Sequence, residues 1–126
     1  MTGQLVGLGI DSVDIERFAR VLARRPSMGT RLFTEGEQAY AATMVNPAPT
    51  LAARFAAKEA VMKALGVGLG AFDWVDVEVC RRPGGAPELA VRGRAAALAG
   101  SRGVGGWLVS ITHTDTVASA AVVAVS

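Results

Sequence analysis

The sequence is short of what would build a stapled fold, a zinc site or a membrane anchor. A single cysteine, Cys80, leaves no partner for a disulfide within the chain, and a reduced, cytoplasmic setting is expected. One histidine, His113, beside one cysteine is poor material for zinc. No apolar run reaches the roughly 18 residues that a membrane span needs. The opening Met1-Thr-Gly-Gln-Leu5 lacks a basic stretch followed by an apolar one, so no secretory leader is expected. The net charge of +2 is too mild to point to nucleic acid. Repeats, low-complexity tracts and long linkers are missing too, and residues 1–126 are expected to form a single domain.

Present in excess are apolar residues, 51% against 19% charged. A chain this small cannot hide that much apolar surface alone, so part of it is expected to face another subunit. Basic residues are almost all arginine. The only two lysines, Lys58 and Lys63, flank Glu59 in one short stretch.

Residues 4–10 read as a strand ending at Asp11, and 14–25 as an amphipathic helix stopped by Pro26. Ile15, Phe18 and Leu22 share one face of that helix, and Arg17, Arg20 and Arg24 another. The arginine face is either simply solvated, or its mutual repulsion is relieved by an acidic partner. Thr34-Glu-Gly-Glu37 is a capping-box pattern opening a short helix to about Thr43. Thr50 is expected to cap a long helix over 51–65, ended by Gly66. Leu51, Phe55, Met62 and Leu65 line one side of this helix, while Ala53, Ala57, Ala60 and Ala64 leave the other side apolar as well. A helix apolar nearly all round is a buried one. Strands are expected over 74–80, 88–92, 107–112 and 117–125, with a short helix over 93–100. The last strand, apolar on both faces, suits a central position or a subunit contact. The class is α+β, an antiparallel sheet packed on a long buried helix.

Charges on a buried helix call for an explanation. Glu59 and Lys63, one turn apart, form either an ordinary ion pair or part of a site, and stability alone explains a buried pair poorly. Asp11, after Gly7-Leu-Gly-Ile10, is either a turn residue or a metal ligand. Two carboxylates completed by phosphate oxygens and water suit Mg²⁺. The glycines of Gly66-Val-Gly-Leu-Gly70 follow a helix C-terminus, where the dipole repels phosphate, so Gly66 is a C-cap and not part of a phosphate loop. His113, with Thr112 and Thr114, has either a structural role or holds a phosphate or an adenine edge.

Gly9-Ile-Asp11 followed by Arg17, then Arg54-Phe-Ala-Ala-Lys-Glu-Ala-Val-Met-Lys63, then Ser110-Ile-Thr-His-Thr114, closely resembles the holo-acyl-carrier-protein synthases, the short bacterial type of 4′-phosphopantetheinyl transferase. Gly85-Ala-Pro87 is similar to that family's Gly-x-Pro segment. The resemblance covers almost the whole chain. It implies transfer of 4′-phosphopantetheine from coenzyme A to a serine of an acyl carrier protein, giving 3′,5′-ADP, in a homotrimer with active sites between subunits. It implies Mg²⁺ on Asp11 and Glu59, catalysis by Glu59, Lys63 and Asp11, and coenzyme A held by Arg54, Lys58, Lys63, His113 and Thr114 together with Gly66 and Pro87. Arg17, Arg20 and Arg24 would dock the acidic carrier, whether of fatty-acid, polyketide or peptide-synthetase type. Many relatives carry a basic residue in the loop before the long helix, near the 3′-phosphate; here residues 44–53 carry no charge. Either Arg54 and His113 hold that phosphate or an arginine arrives from elsewhere, and weaker discrimination against 3′-dephospho-coenzyme A is expected.

Overall fold

The computed structural model describes residues 3–126; Met1 and Thr2, part of the opening from which no secretory leader was expected, lie outside the described residues. Strand β1 spans Leu5–Asp14, so Asp11 lies within it rather than at its end. The chain stays extended to Asp14 because that residue caps the next helix, its carboxylate accepting the Arg17 N–H at 2.8 Å. Helix α1 (Ile15–Arg24) buries Ile15 and Phe18. A short helix not evident in the sequence, α2 (Met28–Leu32), follows Pro26. Helix α3 (Glu35–Ala42) opens on the expected capping box, Thr34 and Glu37 each holding the other's backbone N–H.

The long helix, α4, runs Ala48–Leu65 and starts earlier than Thr50. Pro49 sits in the first turn, where no N–H is needed, and Asn46 Oδ1 accepts the Ala48 N–H at 3.2 Å, so Thr50 is not required as a cap. Gly66 ends it in the left-handed region (φ 69°), with Gly66 and Val67 N–H groups closing onto Lys63 and Met62 carbonyls.

Residues 74–76 are a 3₁₀ turn, not the start of the strand. Asp76 accepts the Asp73 N–H at 3.2 Å, and this local cap holds the turn. Strands β2 (Val77–Arg81) and β3 (Pro87–Val91) form a hairpin, helix α5 covers Gly93–Ser101, and β4 (Gly106–His113) and β5 (Val117–Val125) complete the chain. The main sheet is antiparallel in the order β1-β5-β4, with β5 central as its composition suggested.

One face of this sheet lies on α4. Buried Ala118, Ala120, Val122 and Ala124 of β5 alternate with half-buried residues pointing the other way. Along β1 the contact is backbone on backbone: a Cβ on Gly7 would stand 1.9 Å from the Ala64 carbonyl oxygen, and one on Gly9 1.9 Å from that of Ala60. Glycine on the strand and alanine on the helix are what permit this approach. It fixes the strand residue after next, Asp11, beside the turn of α4 that carries Glu59 and Lys63.

Candidate active site

Close seating of β1 on α4 brings three predicted residues together. Lys63 Nζ lies 3.0 Å from Asp11 Oδ1 and 3.0 Å from the Ile10 carbonyl oxygen. The lysine therefore pairs across to the strand rather than with Glu59 on its own helix, as spacing alone had suggested. Asp11 Oδ2 is buried and without a hydrogen-bond partner. The Glu59 carboxyl is pushed up to about 7, first by burial and then by the neighbouring Asp11 carboxylate, with Lys63 opposing. Two carboxylates driven together, one with an orphaned oxygen, are a cation site waiting for charge.

This donor set is all oxygen. Among the described residues no cluster of three or more acidic, histidine or cysteine side chains could cage an ion. A hard cation that keeps water and substrate oxygens in its shell, as Mg²⁺ does, fits Asp11 and Glu59.

Glu59 and Arg17 line a groove of about 370 Å³ together with the apolar side chains of Val13, Phe18, Val21, Met28 and Phe55. Arg20 and Arg24 lie further along α1. Arg20 is tied to Glu16 at 3.2 Å on the surface, which relieves part of the repulsion expected on that face.

A second cavity, about 310 Å³, is lined by Thr50, Arg54, Arg81, Thr112 and His113. Arg54 and His113 thus meet as expected. Arg81, at the end of β2, joins them, although nothing in the local sequence sets it apart from the adjacent Arg82, which pairs with Glu88 at 3.0 Å. The two cavities share no residue.

Other predicted ligand contacts are placed differently. Lys58 is wholly buried, its ammonium donating to Glu37 (2.8 Å) and to the carbonyls of Trp74 (3.0 Å) and Val77. All three of its protons are engaged inside the protein, so it is not available to a ligand. The Thr114 hydroxyl accepts the N–H groups of Thr116 and Val117 and holds the β4–β5 turn. Gly66 is the α4 cap, and Pro87 opens β3 opposite Arg81.

Residues 7–121 match the model of the 4′-phosphopantetheinyl transferase superfamily. The holo-[acyl-carrier-protein] synthase of Salinispora arenicola is 48% identical over 120 residues, covering 95% of this chain and 98% of that one. The crystal structure of the Neisseria meningitidis holo-[acyl-carrier-protein] synthase superposes with a TM-score of 0.87 at 28% identity, covering 96% of this chain and 98% of the other. A Bacillus anthracis holo-(acyl-carrier-protein) synthase in complex with CoA (3′,5′-ADP) superposes with a TM-score of 0.81 at 30% identity, covering 100% and 99%. With sequence, fold and the order of its motifs in agreement, the chain belongs to the 4′-phosphopantetheinyl transferase superfamily and, within it, to the holo-[acyl-carrier-protein] synthases.

Proposed function

We propose that the protein transfers 4′-phosphopantetheine from coenzyme A to a serine of an apo acyl carrier protein, with magnesium as cofactor and 3′,5′-ADP as the second product. The observation that carries this reading is the convergence of Asp11, Glu59 and Lys63, with Glu59 also lining an apolar groove that Arg17 shares. The relatives' names and the coenzyme A in the Bacillus anthracis complex support it.

The serine hydroxyl oxygen attacks the pantetheine-side phosphorus, the bond from that phosphorus to the bridging oxygen breaks, and 3′,5′-ADP departs. Such a transfer needs in-line positioning and charge neutralisation more than covalent help. Glu59 is the base placed to accept the hydroxyl proton, directly or through a water. Lys63 has two of its three protons engaged by Asp11 and Ile10, and offers the third to the departing oxygen. Asp11 and Glu59 would hold a magnesium ion, which would supply neutralisation of the pyrophosphate charge. The walls of the groove exclude water from the arm of the donor, and the arginines of α1 steer the acidic carrier.

A homotrimer with composite sites completes the reading. One chain keeps its carboxylates and its Arg54–His113 cavity apart. The sheet face away from α4 is apolar and uncovered, with Leu8, Ile10 and Leu108 exposed. Neighbouring copies seated on that face would bring one copy's carboxylates to another's arginine cavity.

The test is transfer to a panel of apo-carriers followed by intact-mass spectrometry. The expected outcome is a mass gain of one phosphopantetheinyl group that needs magnesium and stops with chelator. Glu59→Gln should slow it at least about 10²-fold while leaving the fold intact. Carrier binding with no mass gain from any carrier would instead mark a non-catalytic carrier-binding subunit.

A further inference from the structure

Arg54 and Arg81 are an unusual pair. The Arg54 side chain belongs to a residue only 2% exposed, yet it has no carboxylate partner. Its one hydrogen bond runs from Nη1 to the Thr50 carbonyl at 3.4 Å, and its Nε is buried with no partner. Its guanidinium sits 4.7 Å over the Tyr40 ring, and that of Arg81 lies 5.3 Å from the same ring. Burial and then the Arg81 charge both lower the Arg54 pKa. Glu37, the nearby carboxylate, is already bound to Lys58, to the Thr34 N–H and to the Val79 N–H. Arg81 likewise lacks an acidic partner, and its Nη1 donates to the Gly85 carbonyl at 2.6 Å.

Two guanidinium groups on one aromatic ring, lining one cavity with Thr50, Thr112 and His113, repel each other in the absence of an anion. Stacking on tyrosine offsets part of that cost. A doubly charged anion removes it, and the planar forks of two arginines match phosphate oxygens. A phosphate monoester carries close to two negative charges near pH 7, whereas each phosphorus of a pyrophosphate diester carries one.

We infer that Arg81 is a specificity-determining residue: with Arg54 it clamps a phosphate monoester, which in coenzyme A is the 3′-phosphate. This rests on the coenzyme A reading above. It answers the lack of charge in residues 44–53 with an arginine delivered by β2 instead of the loop. Discrimination against 3′-dephospho-coenzyme A is then retained rather than weakened.

The test compares wild type with Arg81→Met and Arg81→Lys, since Arg81 is exposed and neither change disturbs the core. Calorimetric titration with 3′,5′-ADP and with 5′-AMP reads binding, and steady-state transfer reads coenzyme A against its 3′-dephospho form. Arg81→Met should weaken 3′,5′-ADP and raise KM for coenzyme A by about tenfold, the loss of one charge-assisted contact. The 5′-AMP affinity, the KM for the dephospho donor and kcat should stay put, and Arg81→Lys should recover part of the loss. Equal losses on both nucleotides, or no loss on either, overturn the assignment. Failure of the transferase reading is separately visible as no transfer from either donor by wild type. In that event 3′-phosphate-selective loss of nucleotide binding in Arg81→Met still upholds the clamp, and wild type binding both nucleotides equally removes it.

Discussion

Glu59 holds its proton more tightly in the folded chain than in the unfolded one, with a carboxyl near 7 against an ordinary 4.5. The metal-free protein is therefore stabilised by this group while both states are protonated, below about pH 4.5. That contribution declines as pH rises, because the unfolded chain ionises first, and it is gone above about pH 7. With solvent screening allowed for, the swing is about 1–2 kcal/mol. Urea denaturation of wild type and Glu59→Gln in chelator checks this: wild type should lose that much more stability than the variant from about pH 5 to about pH 8, and excess magnesium should cancel the difference. A constant gap between the two proteins would mean that neither burial nor the Asp11 charge raises Glu59. Asp11 and Glu59 are legible in the sequence because carboxylates beside apolar runs have few structural uses. Lys58 misleads for the opposite reason. It lies in the same motif as Glu59, and only the packing of α3 and the 3₁₀ turn on α4 reveals that its protons are taken. Arg81 is invisible beforehand, since its meaning comes from Tyr40 and Arg54, both distant in sequence.

At the level of elements, the seam between β1 and α4 governs the site. Gly9→Ala would set a Cβ 1.9 Å from a backbone oxygen that belongs to a helix and cannot swing aside. The elements must part, at a cost of about 1–3 kcal/mol. Since Asp11 rides on the same strand, the transfer rate should fall further than the loss of folded protein accounts for. Thermal melting together with the rate measured well below the transition tests this, and a variant of normal stability and rate would show that the seam is slack. Most elements could be read in advance: periodicity gives α1, a capping box α3 and an alanine-rich stretch α5, while the turns at Gly84-Gly85 and His113–Thr116 set off β3, β4 and β5. What escaped was local competition. Alternation over Trp74-Val-Asp-Val77 reads as strand, but Asp73 and Asp76 cap one another and turn the backbone. Residues 28–32 carry no cap or stripe strong enough to announce α2, which is held by burial of Leu32 beneath it.

For the whole molecule, the telling feature is a row across the open sheet face. Leu8 pairs with Val123, and Val123 pairs with Leu108, so three apolar side chains run side by side over β1, β5 and β4. Leu8 and Leu108 are 63% and 58% exposed, and Ile10, two residues on in β1, is 65% exposed. An antiparallel sheet that meets water on one face normally turns polar residues to it. Leu108→Asp puts a carboxylate at the end of this row while leaving the α4 face of β4 untouched, so the chain should still fold. Light scattering should show wild type as three copies and the variant as one. Transfer should vanish with assembly, because the cavity holding Arg54, Arg81 and His113 and the groove lined by Glu59 share no residue in a lone chain. A variant that runs as one copy yet transfers at the wild-type rate would place the whole reaction within a single subunit, and the open face would then need another occupant.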